Sequence, residues 1–131
     1  MARFVRLPGL QDYAAVHALQ RDLVDLRARG EAPDVVLLLE HAETITVGRA
    51  RGAEANVLDA GEVPVVAVER GGDVTWHGPG QLVAYPIVKL EGPRADLHLH
   101  LHSLEDAVIG LLADYGLPSG RDDVICGSVA P

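Results

Sequence analysis

Across its 131 residues the sequence holds one cysteine, one lysine and no apolar run that approaches the ~20 residues needed to span a bilayer. A lone Cys126 excludes an internal disulfide and fits a reducing compartment. The start, MARFVRLPGL, lacks the apolar region of a signal peptide, so the expectation is a soluble, cytoplasmic protein with no membrane partner. Positive charge is scarce as well: 11 Lys+Arg against 19 Asp+Glu leave a net charge of −8. That balance argues against nucleic acid as a partner, since such binding neutralises phosphates with clustered cations. A G-x-x-x-x-G-K-[ST] phosphate loop and a dinucleotide fingerprint are both missing.

What is present suits a globular domain. The chain is 48% hydrophobic and 23% charged, at a length typical of one domain or part of one. From Asp12 to Arg29, Val16, Leu19, Leu23 and Leu26 recur at helical spacing, with Asp12 able to cap the start and Gly30 the end. VVLLLE at 35–40 is too short for a helix and reads as a buried strand, and the β-branched 44–47 segment as another. Polar, glycine-rich 48–61 reads as a loop with a helical turn, and 63–69 as a strand with Pro64 near its start. Strands at 73–77 and 82–88 look like an antiparallel pair joined by Gly78-Pro79-Gly80. Leu97, Leu101, Leu104, Val108, Leu111 and Tyr115 mark a last helix, closed by Gly116 and Pro118. The order predicts an α+β fold with helices on one face of a mostly antiparallel or mixed sheet. The other sheet face needs a cover, and without one the chain is expected to be marginally stable or to self-associate.

Chemistry concentrates in VERGGDVTWHGPGQLVAYPIV, residues 68–88. Gly71 and Gly72 permit close approach and positive φ, and can turn N–H groups toward an anionic or carbonyl oxygen. Arg70 adds a fixed cation, Thr75 a hydroxyl, and His77 a group that donates, accepts or carries a proton. Strand alternation puts Asp73, Thr75 and His77 on one face and sends Val74 and Trp76 to the other, with Trp76 in a core. Each part also has a plain structural reading as a tight turn, a hairpin device or an exposed histidine. In HLHLH, a helix makes His98 and His102 i, i+4 neighbours, a spacing zinc sites use, yet no third ligand is suggested. A solvated helix face is the simpler reading, and neither a metal nor any other cofactor is expected. Glu40–His41 reads as a strand-end feature.

The joint pattern is more specific than its parts. R-G-G-x-x-T-W-H-G-P-G-Q-x-x-x-Y, from Arg70 through Gln81 to Tyr85, closely resembles the signature of lipoyl(octanoyl) transferases. Asp12–Arg49, including its LLLEH and T-x-G-R, resembles the family's N-terminal region, and DLHLHLHSLEDAVIGLLADYGL its following helix. The resemblance implies the biotin/lipoate protein ligase fold. It implies transfer of an octanoyl group from octanoyl-acyl carrier protein to a lysine of lipoyl domains, those of 2-oxoacid dehydrogenase complexes and of the glycine cleavage H protein. It assigns substrate binding to Arg70, Gly71, Gly72, Asp73, Val74, Thr75, Trp76 and His77.

In the resembled family a cysteine thiolate carries the octanoyl group as a thioester and a lysine lowers its pKa. Both lie in a C-terminal part, in a K-x-x-[AS]-x-G strand and beyond an H-G-x-A-x-N stretch, neither of which occurs here. The tail VICGSVAP resembles the lysine-bearing strand with Val124 at the lysine position, which makes Cys126 a neighbour of that position rather than the nucleophile. Lys89, at the end of the 82–88 strand, is no substitute. The expectation is therefore a partial octanoyltransferase domain over 1–131, its C-terminal part missing, with no catalytic residue identifiable and no activity alone. A truncated gene product, a degenerate paralogue and half of a split enzyme all stay open. One alternative is a non-catalytic acyl- or carrier-protein-binding remnant, for which docking an acidic carrier would need an arginine patch including Arg49 and Arg51. The other is an ATP-dependent lipoate or biotin ligase relative, whose R-R-x-x-G-G-G or G-R-G-R-x-G patterns this sequence lacks.

Overall fold

Asp12 starts the first helix by accepting a hydrogen bond from the Ala15 N–H at 2.8 Å. That helix, α1 (Tyr13–Ala28), ends where Gly30 turns to φ 76°. There Glu31 N–H reaches back to the Leu26 carbonyl and Gly30 N–H to that of Arg27, a glycine-dependent stop. The computed structural model describes residues 1–92 and 95–121, so Val124 and Cys126 lie outside the described residues. The chain divides into two units, Met1–Lys89 and Leu90–Pro131.

In the first unit a strand not anticipated from the sequence, β1 (Arg3–Gln11), precedes α1. Pro8 and Gly9 break its alternation, and the structure absorbs them as a register shift between Arg6 and Leu10 on an edge strand. The remaining strands are β2 (Val35–His41), β3 (Thr44–Val47), β4 (Val65–Ala67), β5 (Val74–His77) and β6 (Val83–Ile87). The loop after β3 carries a single 3-10 turn, Ala53–Asn56.

The strands form two mixed three-stranded sheets, ordered β1-β2-β6 and β4-β3-β5. Each has one parallel and one antiparallel pairing. The expected β5–β6 hairpin does not form: β5 pairs with β3 and β6 with β2, in different sheets. Burial outweighs the local turn here. In the observed register Val35, Leu37 and Leu39 face Ile87, Tyr85 and Val83, so two apolar rows meet on one sheet face. Val16 of α1 closes on Val35, Leu37, Leu39 and Ile87, with Leu7, Leu23, Val83 and Tyr85 packed around them. Asp34 anchors the far end of this sheet: its carboxylate takes the Arg27 guanidinium and the Lys89 N–H, and its carbonyl the Arg3 N–H. Those donors hold the Asp34 carboxyl below its ordinary value, the Arg27 bond contributing most.

The chain passes between the sheets twice, through Ala42–Glu43 and through residues 78–82. At the second crossing Gly80 N–H donates to the Glu40 carboxylate at 2.8 Å, pinning the Gly-Pro-Gly turn to the end of β2. Both crossings lie at one end of the unit, which brings the ends of β2 and β5 together.

The second unit contains α2 (Leu97–Asp114), capped by Asp96 on the N–H groups of His98 and Leu99 and stopped at Gly116, φ 74°. The helical reading of HLHLH is the one observed. His102 turns to Glu105, at 3.0 Å, and among the described residues no cluster of three His, Cys, Asp or Glu could hold a metal. Among the described residues no helix is long and apolar enough to cross a membrane.

Candidate functional site

Four rings meet where β2, β5, β6 and the start of α1 converge. Tyr13 lies 4.9 Å from His41 and 5.6 Å from His77, centroid to centroid, and His41 lies 5.5 Å from His77 and 5.9 Å from Tyr85. His41 is wholly buried, so the strand-end histidine of the sequence is a core group of this cluster. Its Nδ1 is 3.2 Å from the Gln11 carbonyl, which can only accept, so Nδ1 carries the proton. The other nitrogen, Nε2, then accepts from the Tyr85 hydroxyl at 2.9 Å. Burial, more than the neighbouring His77, holds His41 below the ordinary imidazole value and thus neutral. Burial also raises Tyr85 to about 12, and it raises Tyr13 despite the Arg70 charge nearby. All three are thereby kept uncharged at neutral pH.

His77 is oriented by Gln81. The Gln81 amide donates to the Trp76 carbonyl at 3.1 Å, which turns its oxygen toward His77 Nδ1 at 2.8 Å. A neutral His77 so held carries its proton on Nδ1 and presents Nε2 as an acceptor. Among the described residues the one hydrogen-bonding group in reach of Nε2 is the Thr46 hydroxyl, at a long 3.4 Å.

Arg70 folds back onto its own loop. Its Nη2 donates to Thr75 Oγ1 at 2.7 Å, to the Asp73 carbonyl at 2.9 Å and to Thr46 Oγ1 at 3.2 Å, while Nη1 reaches the Gly71 carbonyl at 2.9 Å. From the other side Gly48, Arg49 and Ala50 donate their N–H groups to the carbonyls of Asp73, Arg70 and Gly72. Every carbonyl from Arg70 to Asp73 is therefore occupied. The N–H groups of Gly71 and Gly72, by contrast, have no acceptor among the described residues, and both glycines are exposed. Gly72 sits at φ 84°, and Gly48 packs so closely that an added Cβ would fall 2.3 Å from the Gly72 carbonyl oxygen.

The sequence-predicted residues are thus partly brought together. Thr75 and His77 share the Thr46 side of β5 as alternation requires, and Arg70 joins them. The Asp73 carboxylate is taken by Asn56 at 2.6 Å, and half-buried Val74 pairs with Val47. Trp76 departs from expectation: it is 46% exposed rather than in a core, and its indole lies over Gly78, where an added Cβ would clash at 2.1 Å. A side chain that large finds cover over a residue lacking a Cβ, on the solvent side of a short sheet. Sequence reasoning gave no site role to Tyr13, His41, Thr46, Gln81 or Tyr85. Tyr85 was marked by its phase with Val83 and Ile87, which puts it on the buried face of β6, and Tyr13 by its place directly after the cap.

Compared with known proteins, residues 12–127 match the family described as the lipoyl protein ligase A/B catalytic domain. The chain is 50% identical over 123 residues to an octanoyltransferase of Rubrobacter xylanophilus, covering 88% of this chain and 54% of that protein. It is 44% identical over 116 residues to an octanoyltransferase of Gloeobacter violaceus, covering 88% and 52%. It therefore spans about half the length of the curated relatives it matches. A solved structure of a candidate lipoate protein ligase from T. acidophilum with bound lipoic acid shares the fold at a TM-score of 0.57 and 15% identity, covering 94% of this chain and 52% of that one. With the α+β architecture expected of it and a family match across most of its length, the chain belongs to the lipoyl protein ligase A/B catalytic domain family.

Proposed function

We propose that this polypeptide contributes the acyl-binding portion of an octanoyltransferase, which moves an octanoyl group from octanoyl-acyl carrier protein to a lysine of lipoyl domains in the cytoplasm. The acceptors in this reading are the lipoyl domains of 2-oxoacid dehydrogenase complexes and the glycine cleavage H protein. Relatives named octanoyltransferase at 44–50% identity support it. The observation that carries it is the asymmetry of the 70–73 loop: its carbonyls are all hydrogen-bonded internally while the Gly71 and Gly72 N–H groups are not. Such a loop offers donors and no acceptors, which suits the carbonyl oxygen of a thioester. His77 is joined to this loop through Thr46, which both His77 and Arg70 approach, and its Nε2 is the atom this reading turns toward the incoming amine.

Transfer needs a nucleophile or base able to relay the acyl group. The one lysine, Lys89, follows β6, where its N–H bonds Asp34. The one cysteine, Cys126, lies outside the described residues. The chain spans about half the length of its octanoyltransferase relatives, and in this reading its share of the work is to bind the octanoyl group, with transfer not expected of this portion alone. Titration with octanoyl-N-acetylcysteamine, followed by amide NMR shifts, tests the reading. Saturable shifts at Gly71 and Gly72 are expected, and their absence rejects it. Octanoylation of a lipoyl domain by this polypeptide would overturn the assignment of binding without transfer, and loss of that activity in Cys126→Ser would identify the nucleophile.

A further inference from the structure

The protein has eight more acidic than basic residues, so its cations have ample opportunity to pair. Four described arginines do: Arg21 with Glu69, Arg27 with Asp34, Arg29 with Glu31, and Arg121 with Glu105 and Asp106. Arg49 and Arg51 do not, nor do Arg3 and Arg6 on β1, but only Arg49 and Arg51 lie on the segment bonded to the Arg70–Asp73 loop. Both are exposed, and neither makes an ion pair or side-chain hydrogen bond among the described residues. Glu69 is the carboxylate whose field Arg49 feels, yet its oxygens are taken up by His17 at 3.1 Å and Arg21 at 3.8 Å. Positive groups from α1 and from the 48–52 loop thus outnumber that single acid.

The loop bearing these arginines is not a loose one. Gly48, Arg49 and Ala50 donate their N–H groups into the Arg70–Asp73 loop, and Ala53, which follows Gly52, is buried. The segment borders a hollow of about 490 Å³ whose wall is mostly small residues, including Gly48, Ala50, Gly52 and Ala53, with Arg49 and Glu54 as its charges. Two unpaired guanidinium groups are therefore carried on a backbone segment hydrogen-bonded to the candidate acyl loop, beside a hollow walled mostly by small residues.

We infer that the Gly48–Gly52 loop is a docking surface for the acidic face of the acyl-donor carrier protein, with Arg49 and Arg51 supplying the attraction. This rests on the octanoyl-transfer reading above. Charges at the rim of an interface mainly govern encounter and salt dependence rather than the chemistry of the bound group. The loop would thus recruit the donor protein and leave affinity for the acyl group itself unchanged. Docking there places the donor beside Gly71 and Gly72 through the backbone bonds that join the two loops.

The test measures binding of octanoyl-carrier protein, octanoyl-phosphopantetheine and octanoyl-N-acetylcysteamine to the chain and to the double variant Arg49→Glu/Arg51→Glu, at low and high salt. Expected is a loss of about tenfold or more in carrier affinity at low salt and a flattened salt dependence, with both small thioesters unaffected. Unchanged carrier affinity, while the small thioesters still bind, overturns the docking surface and leaves the acyl site standing. An equal loss for octanoyl-phosphopantetheine overturns it too, because the arginines would then be reading the phosphate. Failure of octanoyl-N-acetylcysteamine to bind the unaltered chain removes the acyl reading, and the docking surface with it.

Discussion

The Nε2 atom of His41 and the hydroxyl of Tyr85, 2.9 Å apart, tie the last residue of β2 to the middle of β6. The Gln11 carbonyl fixes the tautomer that makes this bond possible, so β1, β2 and β6 are joined through one imidazole. Replacing Tyr85 by Phe keeps the ring packing but leaves a wholly buried nitrogen without a donor. A loss of about 1–3 kcal/mol in unfolding free energy is expected from denaturant titration.

The same burial gives a pH dependence. His41 has its folded pKa below its ordinary 6.5, so the unfolded chain binds the proton more readily. Its contribution is fully present above about pH 6.5 and is lost as pH falls from there through the folded value. Melting curves between pH 7.5 and 5 should show falling stability, and a His41→Gln variant should show a shallower fall.

Asp34 acts lower on the scale. Its folded pKa is below the ordinary 3.8 because it accepts from Arg27 and from the Lys89 N–H. That stability is present above about pH 3.8 and is lost as pH falls through the folded value. Asp34→Ala should destabilise the chain by about 1–3 kcal/mol at neutral pH, measured by urea unfolding, because it removes a shared acceptor for α1 and the strand end.

Glycines of the site separate by what surrounds them. Gly48→Ala places a methyl 2.3 Å from backbone oxygen, and Gly72→Ala puts an L residue at φ 84° within 3.1 Å of the Arg70 guanidinium. Each should cost about 1–3 kcal/mol, read as a shift of the thermal midpoint.

Much of this organisation was legible in the residues themselves. Asp12, Gly30 and Gly116 carry their cap chemistry locally, and β2 and β3 stand out as short β-branched or apolar runs. The Arg70–His77 segment is conspicuous because arginine, paired glycines, threonine and histidine fall within a few residues. What was hidden depends on pairing at a distance. Strand β1 is interrupted by Pro8-Gly9 and is stabilised by β2, reached only after the whole of α1. The β5–β6 hairpin was a sound local expectation, but each strand pairs with one far earlier in sequence, as Val74 does with Val47 and Tyr85 with Leu37. His41 looked like a strand end because its partners, Gln11 and Tyr85, come from other strands. Trp76 followed the alternation of β5, yet the side it turned to is open to solvent.

The central claim, that the 70–77 loop is the acyl site, is tested most directly at Gly71. A Cβ there meets nothing within 4 Å and the backbone is not in the left-handed region, so folding tolerates a side chain. Any loss of binding in Gly71→Val therefore reports the ligand's approach and not the fold. The measurement is octanoyl-N-acetylcysteamine affinity of Gly71→Val against the unaltered chain, with thermal midpoints compared alongside. An unchanged midpoint with affinity reduced about tenfold or more is the predicted result. Unchanged midpoint with unchanged affinity would contradict the account.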